Sequence, residues 1–289
     1  MRRRLFLAAI SNIPLLALAS TTAIAAAHKS AKKTAATATR KVGLALGGGS
    51  IHGMAHLGVL KALAEKGVEI HFIAGTSAGA IVGALAAAKM PLSQMEAIIR
   101  RIEWPGVTSM AWSGKGLMQH TKLRAQIDAA LGARRIEQLP IAFAAIATDI
   151  ATGERVVLRH GSISAAISAS CSIPVKFEPV KIDGRELVDG GLSEPVPVIA
   201  VRQMGADIVI GVDVAFRPNE EVVSGLTGMV YQSMHIMGNA LINEQIRHAD
   251  LAIRMNLHPL IGKENSSGQL IAAGYAETLR AWPKLAALL

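Results

Sequence analysis

Hydrophobic positions in the first part of the chain's body follow two alternating patterns. Short continuous apolar runs predict buried strands, and longer segments with apolar residues three or four positions apart predict helices. Glycines and prolines at the boundaries mark where each segment ends. In chain order the patterns predict a strand, a helix, a strand and two helices over residues 41–46, 52–67, 69–76, 77–88 and 91–101. This alternation is typical of an α/β protein with a mainly parallel sheet.

The second part of the chain adds antiparallel pieces. Residues 104–119, rich in glycine and tryptophan, predict a loop or a mobile flap. Residues 180–191 predict a hairpin with a tight turn at Asp183 and Gly184. The patterns also predict a pair of strands at 141–150 and 154–160, and two buried strands at 206–214 and 249–257. A Met-rich helix is predicted at about 226–247, and another helix at the chain's end. We therefore expect one α/β domain over residues 41–289.

The positive charge of the chain is concentrated near its N terminus. The formal net charge of the 289 residues is +9. Residues 1–41 hold eight lysines or arginines and no acid, which leaves 22 basic and 21 acidic residues in the body. Because the body is nearly neutral, the charge does not indicate nucleic-acid binding.

The N-terminal residues are typical of an export signal. Three arginines precede a moderately apolar segment and then small residues, which predicts a signal peptide over 1–27, by either the general secretory or the twin-arginine route. Residues 28–40 predict a flexible basic linker. The expected location is periplasmic or secreted, with an uncleaved N-terminal membrane anchor as the alternative. The single cysteine, Cys171, allows no internal disulfide, and a packed small residue is its expected role.

A serine at a strand-to-helix turn is the first candidate for chemistry. Ser77 lies in the pattern G-x-S-x-G, with Gly75 and Gly79 on either side. Such a turn needs small neighbours and exposes the serine hydroxyl at a helix N terminus, where negative charge is favoured. The same pattern also fits a buried small-residue turn without catalytic function.

Two glycine-rich segments complete the set of candidates. The loop at 46–53, with Gly48, Gly49 and Ser50, suits a phosphate or the oxyanion of an acyl intermediate. A dinucleotide-binding loop is the alternative, although the next strand does not end in the acid that would hold a ribose. Asp189 ends a predicted strand before two glycines, which fits either a site carboxylate or a surface turn.

These segments resemble the patatin-like phospholipase family, in the bacterial branch related to neuropathy target esterase. The resemblance rests on four blocks in order between about residues 42 and 200: GLALGGGSIHGMAHLGVLKAL, GTSAGAIVGAL, ATDIATGE and SASCSIPVKFEPVKIDGRELVDGGLSEPVPV. It implies a three-layer α/β/α fold with a mainly parallel central sheet. It also implies hydrolysis of acyl esters of phospholipids or lysophospholipids, transient contact with a membrane surface, and neither metal nor cofactor.

The resemblance also implies individual roles. Ser77 matches the nucleophile, Asp189 the base, and the amides of Gly48, Gly49 and Ser50 the oxyanion hole. His52 stands where the family usually has a cationic side chain, and we expect it to line the site and contact substrate. The alternative function is a catalytically weak lipid- or phosphate-binding protein on the same fold.

Other residues leave alternatives open. A Ser77–Asp213 pair with one of His235, His248 or His258 would give a catalytic triad. His52 and His56, four apart, have the spacing of two metal ligands on a helix, although no acid accompanies them. Trp104 and Trp112 suit either a bilayer interface or packing over the site. The methionines at 229, 234 and 237 are expected in the core.

Overall fold

Apolar runs and helical segments form the predicted alternation of strands and helices. The computed structural model describes residues 40–102, 109–110, 114–217, 225–260 and 266–289. The predicted signal peptide, nearly all of the predicted linker, Trp104 and Trp112 lie outside the described residues. Within the described part of the chain, no helix has both the length and the hydropathy needed to cross a bilayer.

The strands of the described residues form one large sheet and one small sheet. In chain order, strands β1 to β11 are Val42–Leu46, Ile70–Thr76, Ser109–Met110, Gly116–Gln119, Ala142–Asp149, Arg155–Leu158, Val175–Phe177, Val180–Ile182, Arg185–Asp189, Ile208–Asp213 and Leu251–Arg254. The large sheet has the order β11-β10-β1-β2-β5-β9-β8, and β6 also pairs with β5. Its β11 to β5 portion is parallel, whereas β6, β8 and β9 join by antiparallel pairing.

Helices cover both faces of the large sheet. In chain order, helices α1 to α8 are Ala55–Glu65, Ala78–Ala87, Leu92–Arg101, Thr121–Leu131, Ile163–Ser170, Val198–Gln203, Gly225–Gln245 and Ser266–Leu288. Side chains alternate along β1, so Leu44 and Leu46 pack against α1, α2 and α8 on one face. Ala45 packs on the other face with residues of α6 and with Ile242 of α7. The predicted three-layer α/β/α fold with a mainly parallel sheet is confirmed.

The packing of α1 on α8 depends on two glycines. A side chain at Gly58 would overlap the carbonyl oxygen of Ile271, and one at Gly274 would overlap that of Ala55. The two helix backbones therefore approach more closely than any larger residue permits.

Most predicted elements occur within one to three residues of their expected limits. The helix predicted at 52–67 is shorter, because residues Ser50–Met54 form a 3-10 turn before α1 begins. The prediction of a loop at 104–119 was wrong at Ser109–Met110 and Gly116–Gln119, where β3 pairs with β4 and β4 pairs with β7 in the small sheet. Strands of two and four residues carry too weak a hydrophobic pattern to be recognised.

Candidate active site

Ser77 occupies a strained turn between β2 and α2. Its backbone angles are φ 53° and ψ −121°, a region that non-glycine residues rarely adopt. A side chain at Gly75 would overlap the backbone of Gly79, and a side chain at Gly79 would overlap the carbonyl of Leu46. The amide of Ser77 donates to the Ser170 hydroxyl at 2.8 Å. The turn is therefore fixed by its glycines and by α5.

The sheet brings Ser77 and Asp189 together across strand β5. Thr76 is in register with Ile146, and the next residue of β5, Ala147, is paired with Asp189 of β9. Ser77 follows Thr76 directly, so the serine and the aspartate flank the same point of β5. Parallel pairing of β2 and antiparallel pairing of β9 place both residues at one edge of the sheet.

Asp189 is a buried carboxyl with few compensating partners. Its Oδ1 accepts a hydrogen bond from the Gly191 amide at 2.8 Å. Burial raises the pKa of Asp189 to about 6, and hydrogen bonds from the Gly191 amide and the Ser77 side chain oppose this rise. A carboxyl with this pKa is a better proton acceptor near neutral pH than an ordinary surface aspartate.

The glycine loop approaches the same place, but its amides are used differently. The Gly48 amide donates to the carbonyl of Pro195 at 3.0 Å, which differs from its predicted place among the oxyanion donors. For Gly49 and Ser50, the described residues include no carbonyl that accepts a hydrogen bond from either amide. Ser50 has φ 49°, where glycine is usual, and a side chain at Gly49 would overlap the Val214 carbonyl. The loop geometry thus leaves two adjacent amides available beside Ser77.

Ser77, Asp189 and the glycine loop line one cavity of about 310 Å³. One wall comes from helix α7, which the sequence predicted but did not assign to the site. The lining residues are Gly48, Gly49, Ser50, Ser77, Ile173, Lys176, Asp189, Gly191, Leu192, Pro195, Ala215, Phe216, Tyr231, Met234, His235, Gly238, Asn239 and Ile242. The cavity joins a polar end, with the serine and the carboxylate, to a mostly apolar wall.

The methionines of α7 were expected in the core, and that prediction was wrong. Met229 and Met237 are 58% and 71% exposed, and Met234 lines the cavity. The helix has no charged residue before Glu244. From this lack of charge and the length of the segment, the sequence could have predicted a helix that is apolar on both its inner and its outer face.

His52 lies behind the cavity wall rather than in it. Its side chain is buried, its Nδ1 is 2.9 Å from the Val214 carbonyl, and its ring stacks on Phe216 at 4.0 Å. Phe216 lines the cavity and also stacks on His235. The predicted substrate contact by His52 is thus not what the geometry gives, because Phe216 separates this ring from the cavity. The position of His52 in the sequence does not show which side of the loop its imidazole faces.

The geometry does not assemble the other histidine alternatives, although His235 lines the cavity together with Ser77. The carboxylate of Asp213 is bound by Arg217 at 2.5 Å and Arg254 at 3.1 Å. The Asp213 carboxylate is therefore paired with two guanidinium groups and not with a histidine. His248 is exposed, and the His258 side chain lies outside the described residues. The rings of His52 and His56 contact two separate backbone carbonyls, and the described residues include no group of three metal-ligating side chains.

Cys171 is packed beneath the site, as the sequence predicted. It is fully buried at the end of α5, and burial raises the pKa of its thiol well above the ordinary value. The negative charge of Asp189 raises this pKa further, while a hydrogen bond with Ser77 opposes the rise. A thiol in this setting stays protonated and is a poor nucleophile.

Comparisons with known proteins identify the family of the chain and several of its relatives. The family model for the patatin-like phospholipases matches residues 44–202. An uncharacterised NTE family protein of Mycobacterium tuberculosis is 38% identical over 179 residues, which cover 60% of this chain and 48% of that protein. A lysophospholipase NTE1 of Candida glabrata is 29% identical over 179 residues, covering 60% of this chain and 10% of that protein. The match thus spans about half the length, or less, of these relatives.

A solved structure shares the fold at low sequence identity. The crystal structure of VipD from Legionella pneumophila aligns with a TM-score of 0.56 and 14% identity, covering 84% of this chain and 66% of that chain. At this identity the likeness shows the architecture alone.

Proposed function

Because the chain belongs to the patatin-like phospholipase family, we propose that it hydrolyses fatty-acyl esters of phospholipids or lysophospholipids with Ser77 as nucleophile and Asp189 as base. One observation carries this proposal. A strained serine and a buried carboxyl with a pKa raised to about 6 line the same largely apolar cavity. That combination supplies a nucleophile, its base and room for an acyl chain in one place.

Acylation uses Asp189 twice. The Ser77 Oγ attacks the ester carbonyl carbon while its proton passes to Asp189, and the carbonyl oxygen becomes an oxyanion. The amides of Gly49 and Ser50 donate hydrogen bonds to this oxyanion, each donor lowering the barrier by about 3 kcal/mol. The carbon–oxygen bond to the alcohol then breaks, and Asp189 returns the proton to the departing alcohol oxygen.

Deacylation repeats the sequence with water. Asp189 takes a proton from a water molecule while the water oxygen attacks the acyl-enzyme carbonyl carbon. The same two amides stabilise the second oxyanion. The bond to the Ser77 Oγ breaks, the proton passes to that oxygen, and the fatty acid leaves. No histidine takes part in either half of the cycle.

The size of the cavity favours a single-chain substrate. A volume of about 310 Å³ lies at the lower end of the roughly 300–1,000 Å³ typical of small-molecule sites. The apolar wall, with Leu192, Phe216, Met234 and Ile242, suits one acyl chain. A relative named lysophospholipase supports the same preference. We therefore favour lysophospholipids over diacyl phospholipids.

Location and membrane contact belong to the same proposal. The sequence pattern of residues 1–27 supports export to the periplasm or beyond. Exposed apolar side chains on the cavity-forming helix α7, including Leu226, Met229 and Met237, support transient contact with a lipid surface. Cell fractionation and co-sedimentation of Ser77→Ala protein with phospholipid vesicles check the two statements; a cytoplasmic protein or one absent from the vesicle pellet would contradict them.

Labelling with a fluorophosphonate probe tests the catalytic assignment. We expect the wild-type protein and a control variant at an exposed serine of α7, Ser233→Ala, to be labelled, and Ser77→Ala to remain unlabelled. Hydrolysis of lysophospholipid should be lost in Asp189→Asn and retained in His235→Ala, His248→Ala and His258→Ala. An unlabelled wild-type protein would favour the alternative of a lipid- or phosphate-binding protein, and loss through one histidine alone would favour a triad.

A further inference from the structure

Lys176 is a charged lining residue that neither the sequence motifs nor the proposed catalytic cycle uses. Among the described residues that line the cavity, only Lys176 and Asp189 are formally charged at neutral pH. Asp189 is committed to Ser77 by the proposed chemistry. We propose that Lys176 forms an anion subsite in this cavity and binds the phosphate group of a lysophospholipid whose acyl ester lies at Ser77.

A rigid turn presents this lysine. The Phe177 amide donates to the Ile173 carbonyl at 2.9 Å, which closes a turn around Pro174, Val175 and Lys176. Phe177 is fully buried, and its ring stacks on His120 at 4.0 Å. Strand pairing of Val175 with Gly116 fixes the turn from the other side. Ile173 and Lys176, at the two ends of this turn, both line the cavity.

The turn is also strained at Val175, which is an exposed residue. Val175 has φ 71°, a conformation that is a genuine outlier for a β-branched side chain. The residue is 43% exposed and is not part of the buried core. Strain of this kind persists where the surrounding structure enforces it, and it concentrates at binding and catalytic sites. Here the strained residue directly precedes the cavity lysine.

The surroundings of Lys176 suit a phosphate. Its side chain is half-buried, and its ammonium lies 5.5 Å from the centre of the Phe177 ring. Desolvation lowers the pKa of Lys176. A phosphate oxygen hydrogen-bonded to the ammonium would offset that desolvation, and a charge-assisted bond of this type is about twice as strong as a neutral one. The apolar wall would hold the acyl chain in the same complex.

This inference rests on the proposed hydrolase function and narrows its substrate class to acyl esters that carry a phosphate. Phosphate at Lys176 would orient the glycerol so that the ester carbonyl faces Ser77. Neutral acyl esters, which lack the phosphate, would bind without this contact. The lysine would therefore set specificity among substrates and leave the chemical steps unchanged.

Paired substrates test the assignment. Palmitoyl lysophosphatidate and monopalmitoylglycerol share acyl chain and glycerol and differ by the phosphate. For Lys176→Met we expect KM for lysophosphatidate to rise about tenfold with kcat nearly unchanged, and KM for monopalmitoylglycerol to change much less. Lys176→Arg should retain the preference, and Lys181→Met, at an exposed lysine of β8, should behave as wild type. Equal losses on both substrates, or none on lysophosphatidate, would overturn the subsite.

A binding measurement separates this inference from the hydrolase proposal. Calorimetric titration with an ether-linked alkyl lysophosphatidate, which has no ester to cleave, should show weaker binding to Lys176→Met and normal binding to Lys176→Arg. Such a result without hydrolysis of either ester would overturn the hydrolase function and leave the subsite standing. Inorganic phosphate is titrated in parallel; tighter binding of phosphate than of the ether lipid would overturn the headgroup assignment.

Val175→Gly tests the role of the turn. Glycine adopts φ 71° without strain, so we expect the variant to fold and to retain hydrolysis of monopalmitoylglycerol. The preference for lysophosphatidate should fall, because the relaxed turn no longer holds the lysine in one place. An unchanged preference would show that the strain plays no part in presenting Lys176.

Discussion

Replacing Asp189 by asparagine should abolish turnover and stabilise the fold at neutral pH. The structure buries this carboxyl and raises its pKa from 3.8 to about 6. At about 1.36 kcal/mol per pKa unit, the ionised form is disfavoured in the folded protein by about 3 kcal/mol. Asparagine keeps an oxygen that can accept from the Gly191 amide and carries no charge to desolvate.

The sign of the pH dependence follows from proton binding. A carboxyl with a raised pKa binds its proton more tightly in the folded state than in the unfolded state. Stability of the wild type should therefore fall as pH rises from about 4 to about 6, and then stay lower by about 3 kcal/mol. The wild type and Asp189→Asn should be equally stable below about pH 4. Above that pH the asparagine variant should be the more stable of the two.

Calorimetric melting across this pH range is the assay. For a domain of this size, about 3 kcal/mol corresponds to a rise in Tm of roughly 6–12 °C in Asp189→Asn near neutral pH. Ser77→Ala is the matched inactive control, since it removes the nucleophile and keeps the titrating carboxyl. A Tm difference that does not change with pH, or an asparagine variant less stable than wild type near neutral pH, would refute the reasoning.

Two further predictions concern the base and the helix packing. The kcat/KM for ester hydrolysis should rise with pH along a limb of unit slope with its midpoint near pH 6, because only the ionised Asp189 accepts the serine proton; stopped rate assays check this, and a flat profile through that range contradicts it. Gly58→Ala should destabilise the fold by about 3 kcal/mol, since its methyl group would overlap the Ile271 carbonyl. Gly238→Ala, where the same atom meets nothing within 4 Å, should be stabilising by about 0.5–1 kcal/mol. Urea unfolding of both variants measures the contrast, and similar values for the two would contradict the packing account.

Local patterns were enough to predict the parts of the site that depend on neighbouring residues. The turn at Ser77 follows from an apolar strand, small flanking residues and a helix in immediate succession. The hairpin that ends at Asp189 follows from the Asp183–Gly184 turn between two short strands. In each case the residues that determine the geometry lie within a few positions of one another.

Contacts between distant segments could not be predicted in the same way. The Gly48 amide turns away from an oxyanion role because its acceptor, the carbonyl of Pro195, comes from the segment after β9. Lys176 and helix α7 reach the cavity through tertiary packing, and no local sequence motif indicates that either of them lines it. His52 carries the right chemistry for a site residue, but its direction depends on Val214 and Phe216.

The position of Ser77 and Asp189 on either side of β5 has a consequence for how the molecule acquires activity. Neither β2 nor β9 brings the two residues together alone, since the intervening strand must pair with both in the correct register. Such non-local pairings form late and at a high entropic cost during folding. Partly folded molecules, even those rich in helix, would lack the assembled pair. Turnover per mole of protein would then report the fraction of chains in which the sheet is complete.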